Sequence, residues 1–343
     1  MNPNHSNALP LFGKIADLIE LARKQVVTTV NLAMVRTYFE IGRTIVEDEQ
    51  QGNPRAQYGK AIIADLAMRL TDAFGKGFSA RNLEQMRQFY LTYSIPQTLS
   101  SELQQPHFQL SWSHYLILMR IDNPDQRRFY ELECAANNWS LRELQRQYNS
   151  SLYERLALSR NKAEVQKLIQ EGQQIVMPQD VLKNPYVLEF LGLNAETAYS
   201  ESQLETRIID QMQHFLLELG KGFLFEARQK RFTFKEDHFF VDLVFYNRLL
   251  QCYVLIDLKT DKLVHQDLGQ MQMYVNYYDR YVKLDHEKPT LGILLCKQKN
   301  DALVELTLPK DANIYASEYK LYLPDKQLLQ QKLLEWTEDF DTN

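Results

Sequence analysis

Along the first 160 residues, apolar side chains recur at every third or fourth position. Between Leu11 and about Glu49 the series opens with Ile15, Leu18, Ile19 and Ala22, the spacing of one face of an amphipathic helix. The same pattern predicts helices over roughly 58–74, 80–93, 112–120, 125–137 and 141–156. Their breaks fall at "QGNP", "GKGFS", "SIPQ", "DNPD" and "NNWS", where Gly, Pro, Asn and Ser favour turns and caps. Ser79 and Ser140 stand at N-cap positions, but only Ser140, with Glu143 three residues on, makes a capping box. A polar helical stretch over 161–174 leads into "VMPQDVLKNPYVLEFLGL", where Pro178 and Pro185 interrupt the pattern.

From Ser200 the period changes. A helix over about 202–219 precedes the turn "GKG", and three strand-like runs follow at 223–234, 238–246 and 251–259. A helix over about 266–281, the run "TLGILLCK", the run "NIYASEYKLYL" and a charged helix from Asp325 complete the pattern. The order α-β-β-β-α-β implies an α/β layer with hairpins at the short loops. The expected fold class is therefore α+β with two domains. A mainly helical domain spans 1–160, a connection 161–199, and an α/β domain with a central mixed sheet 200–343.

Composition narrows this little: 45% hydrophobic and 24% charged residues are ordinary for a globular chain. No apolar run approaches the roughly 18 residues of a membrane span, so no membrane partner is expected. "MNPNHSNALP" lacks the basic flank and apolar core of a signal peptide. Cys134, Cys252 and Cys296 are scattered and form no CxxC pair, which supports neither a zinc ribbon nor a disulfide framework and fits a reducing cytoplasm. The net charge is −5, split as 18 Lys+Arg against 16 Asp+Glu up to residue 160 and 21 against 28 beyond it. A nucleic-acid partner would then have to be met by local positive charge or through metal ions.

The stretch "VLIDLKTDK" carries the candidate chemistry. Strand side chains alternate between faces, so Asp257 and Lys259 share one. Asp242 lies in "HFFVDLVFYN", one hairpin earlier, and the turn brings it near Asp257. Two carboxylates with a backbone carbonyl suit Mg²⁺, or Mn²⁺, with water and phosphate completing the shell. Such a cation lowers the pKa of bound water and offsets phosphate charge, and Lys259 is placed to serve that water or the developing charge. The plainer reading is a buried Asp–Lys pair with a surface Asp beyond it. Glu318-x-Lys320 has the same spacing, so the spacing alone decides nothing. Three charges buried without function would, however, be costly.

These residues carry a resemblance. "VDLVFYN…VLIDLK" followed by "GQMQMYVNYYD" resembles the core of PD-(D/E)XK nucleases, and more closely the YhcG-like bacterial proteins. "LSWSHYLILMRIDNPDQRRFYELECAANNWSLRELQRQ" is similar to the N-terminal half of that family, and "KNPYVLEFLGL" and "ELGKGFLFEARQKRF" to the C-terminal half. Val241 replaces the proline that names the motif. The resemblance implies a restriction-endonuclease-like fold and Mg²⁺-dependent phosphodiester hydrolysis in nucleic acid, with DNA the expected substrate. It makes Asp242 and Asp257 metal ligands and Lys259 the motif lysine.

On the preceding helix Glu205 is the candidate acid that joins such sites, although Ser202-x-x-Glu205 also reads as a capping box. Gln270 and Tyr274 share a helix face and resemble the glutamine–tyrosine pair of some of these nucleases. A polar or core helix face explains them too. Arg228, Lys230 and Arg231 could meet phosphates or simply solvate an edge strand. In the helical domain, which the resemblance likens to winged-helix modules, "GKGFSARNLEQMRQFYL" reads as a turn and then a helix. Leu83, Met86 and Tyr90 face inward, and Arg81 and Arg87 outward toward DNA or a protein partner. Trp112 and Tyr115 read as core. A homodimer would suit duplex cutting with one site per chain. The rival reading is an inactive nuclease fold that binds nucleic acid or docks restriction–modification or recombination proteins.

Overall fold

The computed structural model describes residues 29–49, 56–94, 107–158, 160, 162–194, 198–309, 311–331 and 333. The beginning of the helix expected from Leu11 lies outside them. The chain forms two compact units, Met1–Gln145 and Arg146–Asn343.

The first unit holds α1 (29–49), α2 (Ala56–Phe74), α3 (Ala80–Tyr93), α4 (Trp112–Leu118) and α5 (Pro124–Asn137), and α6 (Leu141–Asn149) spans the division. Both caps form as the sequence predicts. The Ser79 side chain accepts the Asn82 N–H, whereas Ser140 and Glu143 each accept the other's N–H. On α3 the third buried residue is Phe89 rather than Tyr90. Phe89 packs against Phe39, Phe108, Trp112 and Tyr115, and this aromatic cluster sets the rotation of the helix. Gly42 of α1 lies against the Met86 carbonyl of α3, where an added Cβ would sit 2.0 Å from that oxygen.

The second unit opens with α7 (Leu152–Ala157) and α8 (Lys162–Glu171). It continues through β1 (Tyr186–Val187), α9 (Glu201–Asp210), α10 (Met212–Leu219), β2 (Phe223–Phe234), β3 (Asp237–Asn247) and β4 (Cys252–Lys262). α11 (His265–Tyr281), β5 (Leu291–Gln298), α12 (Asp301–Thr307) and β6 (Ile314–Lys320) follow. The six strands form one sheet in the order β1-β6-β5-β4-β3-β2. The β2–β3 and β3–β4 pairs are antiparallel, and β4–β5, β5–β6 and β1–β6 are parallel, so the sheet is mixed as expected. Alternation sends Leu243, Phe245, Val254, Ile256 and Leu258 to the α9–α10 side. Val244 and Leu255 go to the α11 side, against Leu268, Met271, Tyr274 and Tyr278.

Two expected helices are each broken. The run over 141–156 divides at Ser151, which takes a left-handed φ of 55°, and the run over 202–219 divides at Gln211. β1 and α12 were not expected. β1 is two residues long and exists only through its pairing with β6, a contact no local pattern announces. Behind it, Glu218 is fully buried and binds Arg155 at 2.5 Å, Arg146 at 3.3 Å and the Val187 N–H at 3.0 Å. Among the described residues, no helix is long and apolar enough to cross a membrane.

Candidate active site

β4 is one of the two central strands, and between Val254 and Leu258 every residue but Asp257 is apolar. The β3–β4 ladder runs from Asn247↔Cys252 to Leu243↔Ile256. At the next position the Asp242 carboxylate replaces a ladder bond: its Oδ2 accepts the Leu258 N–H at 2.8 Å. Asp257 is 2% exposed. The Lys259 Nζ lies 2.8 Å from Asp257 Oδ2, and among the described residues that buried oxygen has no other donor.

The matching spacing at Glu318 and Lys320 supplies a control. Their ion pair is 3.0 Å long and partly exposed. Burial there pushes the Glu318 carboxyl upward, but Lys320 and Lys299 outweigh it, and its pKa falls below the usual value. At Asp257 the balance reverses. Burial first, and the Asp242 charge second, outweigh Lys259 and push the carboxyl up to about 7. Burial pulls the Lys259 ammonium downward, but Asp257, Glu201 and Asp242 more than offset this and keep it charged. Two acids and one ammonium thus leave an electrostatic deficit that a proton or a cation relieves.

Glu205 is also buried, on α9, but it does not serve as a cap. The N-cap of α9 is Ser200, paired reciprocally with Gln203, which corrects the capping reading of Ser202 and Glu205. Glu205 Oε1 instead accepts a short hydrogen bond from the Arg228 guanidinium, which also donates to Thr206 at 3.0 Å. Arg228 is thereby committed to an acid rather than free for phosphate. Its neighbour Gln229 donates from one amide nitrogen to Glu205 Oε2 at 2.6 Å and to Asp242 Oδ1 at 2.9 Å. Glu201, one turn before Glu205, reaches within 3.8 Å of Lys259 Nζ. Burial and Asp242 raise its pKa against the pull of Lys259.

On α11 the Gln270 amide donates to the Tyr274 hydroxyl. Tyr274 is buried against Phe232. Burial raises its phenol pKa, Gln270 opposes this, and the charges of Asp257 and Asp242 add to it, so the hydroxyl lies within their field. Lys230 is half-exposed, 3.8 Å from Glu226, and Arg231 contacts His238. In the first unit Arg81 is exposed. Arg87 does not project freely as its helical position implies, because its Nε lies 2.8 Å from Glu49 Oε2.

Sequence reasoning missed Glu201 and Gln229. Glu201 was findable, since it stands four residues before Glu205 on the same helical face. Gln229 was not: alternation would turn it away from the side Arg228 faces.

Residues 179–334 match the model of the YhcG PDDEXK nuclease domain, and residues 14–155 match the DUF1016 N-terminal domain. The Escherichia coli (strain K12) protein "Putative nuclease YhcG" is 39% identical over 346 residues, covering 93% of this chain and 92% of that protein. The chain belongs to the YhcG family. The YhcG nuclease domain takes in all six strands and every acidic residue of the site, while the N-terminal match ends within α7. Solved structures similar to it include a repair endonuclease from Pyrococcus abyssi (17% identity, TM-score 0.25, 38% of this chain and 50% of that one). Another is an EndoMS–dsDNA2 complex (19% identity, TM-score 0.25, 38% and 48%). The chain spans about half the length of each.

Proposed function

We propose that the second unit is a divalent-cation-dependent nuclease that hydrolyses phosphodiester bonds at Asp242, Asp257 and Lys259. The observation that carries this reading is the buried Asp257 carboxylate, which has Lys259 as its nearby cation and a second carboxylate, Asp242, beside it. Among the described residues no three Asp, Glu, His or Cys side chains converge as a ready-made metal cluster. The donors present are two hard carboxylates next to main-chain oxygens, with solvent and substrate left to fill the shell. Such a set suits Mg²⁺ or Mn²⁺ rather than a softer ion. Asp242 and Asp257 would hold the ion, and when bound it acidifies water and offsets charge on the phosphate.

The other groups act around that pair. Lys259 stays an ammonium, held between Asp257 and Glu201, where it can donate to a nucleophilic water or to charge developing on the phosphate. Tyr274, oriented by Gln270, offers a hydroxyl donor on the same side. Exposed Arg81, in the first turn of α3, is the residue through which the first unit would meet phosphates.

The test is purified full-length protein with Mg²⁺ or Mn²⁺ against a panel of duplex, single-stranded and branched DNA and RNA. Metal-dependent cleavage is expected, with Asp242→Asn losing both cleavage and the calorimetric signal of Mn²⁺ uptake. Arg81→Ala should flatten the salt dependence of binding by about one unit. Undiminished Mn²⁺ binding in Asp242→Asn would remove that residue from the site, and no cleavage of any substrate would favour a binding or docking protein.

A further inference from the structure

Gln229 lies inside β2 with a φ of 46°, a conformation uncommon for residues other than glycine and asparagine. No glycine-like requirement of a tight turn explains it, since the residue stands mid-strand. Its neighbours pair regularly, Arg228 with Leu243 and Lys230 with Val241, while Gln229 itself makes no ladder pair. In an ideal strand Arg228 and Gln229 would point to opposite faces, yet both reach Glu205. The left-handed twist is what breaks the alternation. Its result is that one amide nitrogen spends both hydrogens on two carboxylates, Glu205 and Asp242. Strained backbone of this kind persists only where surrounding interactions over-determine it, and it concentrates at functional sites.

We infer that Gln229 is a positioning residue of the nuclease site, whose strained backbone lets its amide hold the Asp242 carboxylate against Glu205. The inference rests on the function proposed above. Asp242 is gripped from two sides, by the Leu258 N–H on Oδ2 and by Gln229 on Oδ1. Glu205, with both oxygens engaged by Arg228 and Gln229, anchors the amide. Removing the amide releases Asp242 to other rotamers and leaves two like charges adjacent with nothing between them.

Glycine separates the backbone from the side chain, because it adopts a positive φ without strain. Gln229→Gly and Gln229→Asn should therefore melt no lower than the wild type in metal-free buffer, asparagine keeping the amide but losing its reach. Both should bind Mn²⁺ about tenfold more weakly by calorimetry. Their kcat should fall by tenfold or more at sub-saturating Mn²⁺ and recover substantially at saturating Mn²⁺, with KM for nucleic acid unchanged. Stable variants with wild-type Mn²⁺ affinity and wild-type cleavage overturn the role of Gln229 while leaving the nuclease intact. A marked loss of melting temperature with metal affinity unchanged makes the residue merely structural. A wild-type protein that neither binds Mn²⁺ nor cleaves overturns both this inference and the reading beneath it.

Discussion

Lys259 and Lys320 each follow an acid by two residues, and the fold gives them different work. Lys320 outweighs the burial of Glu318, whereas Lys259 cannot outweigh burial and a second acid at Asp257. If Lys259 existed only to neutralise Asp257, Lys259→Ala would strand a buried charge and cost about 3–5 kcal/mol of stability. With a cation in the site, the expected outcome is a retained fold and metal affinity, and cleavage lower by at least about 100-fold. Melting temperature, Mn²⁺ binding and cleavage measured on one preparation distinguish the two. Asp242, Asp257 and Lys259 were legible in the sequence because period-two alternation and one short hairpin suffice to bring them together. Gln229 was not legible, because its side chain is aimed by a backbone angle that only the tertiary pull of Glu205 and Asp242 sustains.

Among the elements, the long amphipathic helices and the β2–β3–β4 meander follow from local pattern, whereas β1, α12 and the breaks at Ser151 and Gln211 depend on distant partners. The short helix α7 illustrates the cost of such dependence. Its Arg155 is fully buried and pairs with Glu218 of α10, with Arg146 and Lys183 also near. Burial alone would raise the Glu218 pKa, but Arg155 first, then Lys183 and Arg146, reverse this and hold it at about 2. A depressed carboxyl contributes stability that is complete above its ordinary pKa of about 4.5 and is lost as pH falls toward 2. Acid titration of the melting temperature should therefore show a loss of about 3 kcal/mol across that window. In Glu218→Gln the loss should vanish while stability at neutral pH drops; an unchanged acid profile would remove Glu218 as its source.

For the whole molecule, this network decides where the second unit can be cut free. A fragment beginning at residue 161 discards Arg146 and Arg155 and leaves Glu218 buried without its two arginines. That fragment should show no cooperative melting transition by circular dichroism, whereas 146–343 should melt cooperatively. Equal behaviour of the two would mean that α7 contributes little. The sheet order has another consequence, at its open border. Among the described strands β2 is outermost, and it is twelve residues long; an uninterrupted outer strand is a template on which further chains add by edge-to-edge pairing, the route to aggregation. The register shift between Phe225 and Ala227 and the twist at Gln229 interrupt that template, and Lys230, Arg231 and Lys235 add repulsion. Gln229→Val should flatten the border, since a β-branched residue resists a positive φ. Sedimentation velocity should then reveal self-association that grows with concentration beyond that of the wild type. If it does not, the charges alone keep the edge soluble. If it does, the angle that steadies the carboxylates also keeps the protein from polymerising along its own sheet.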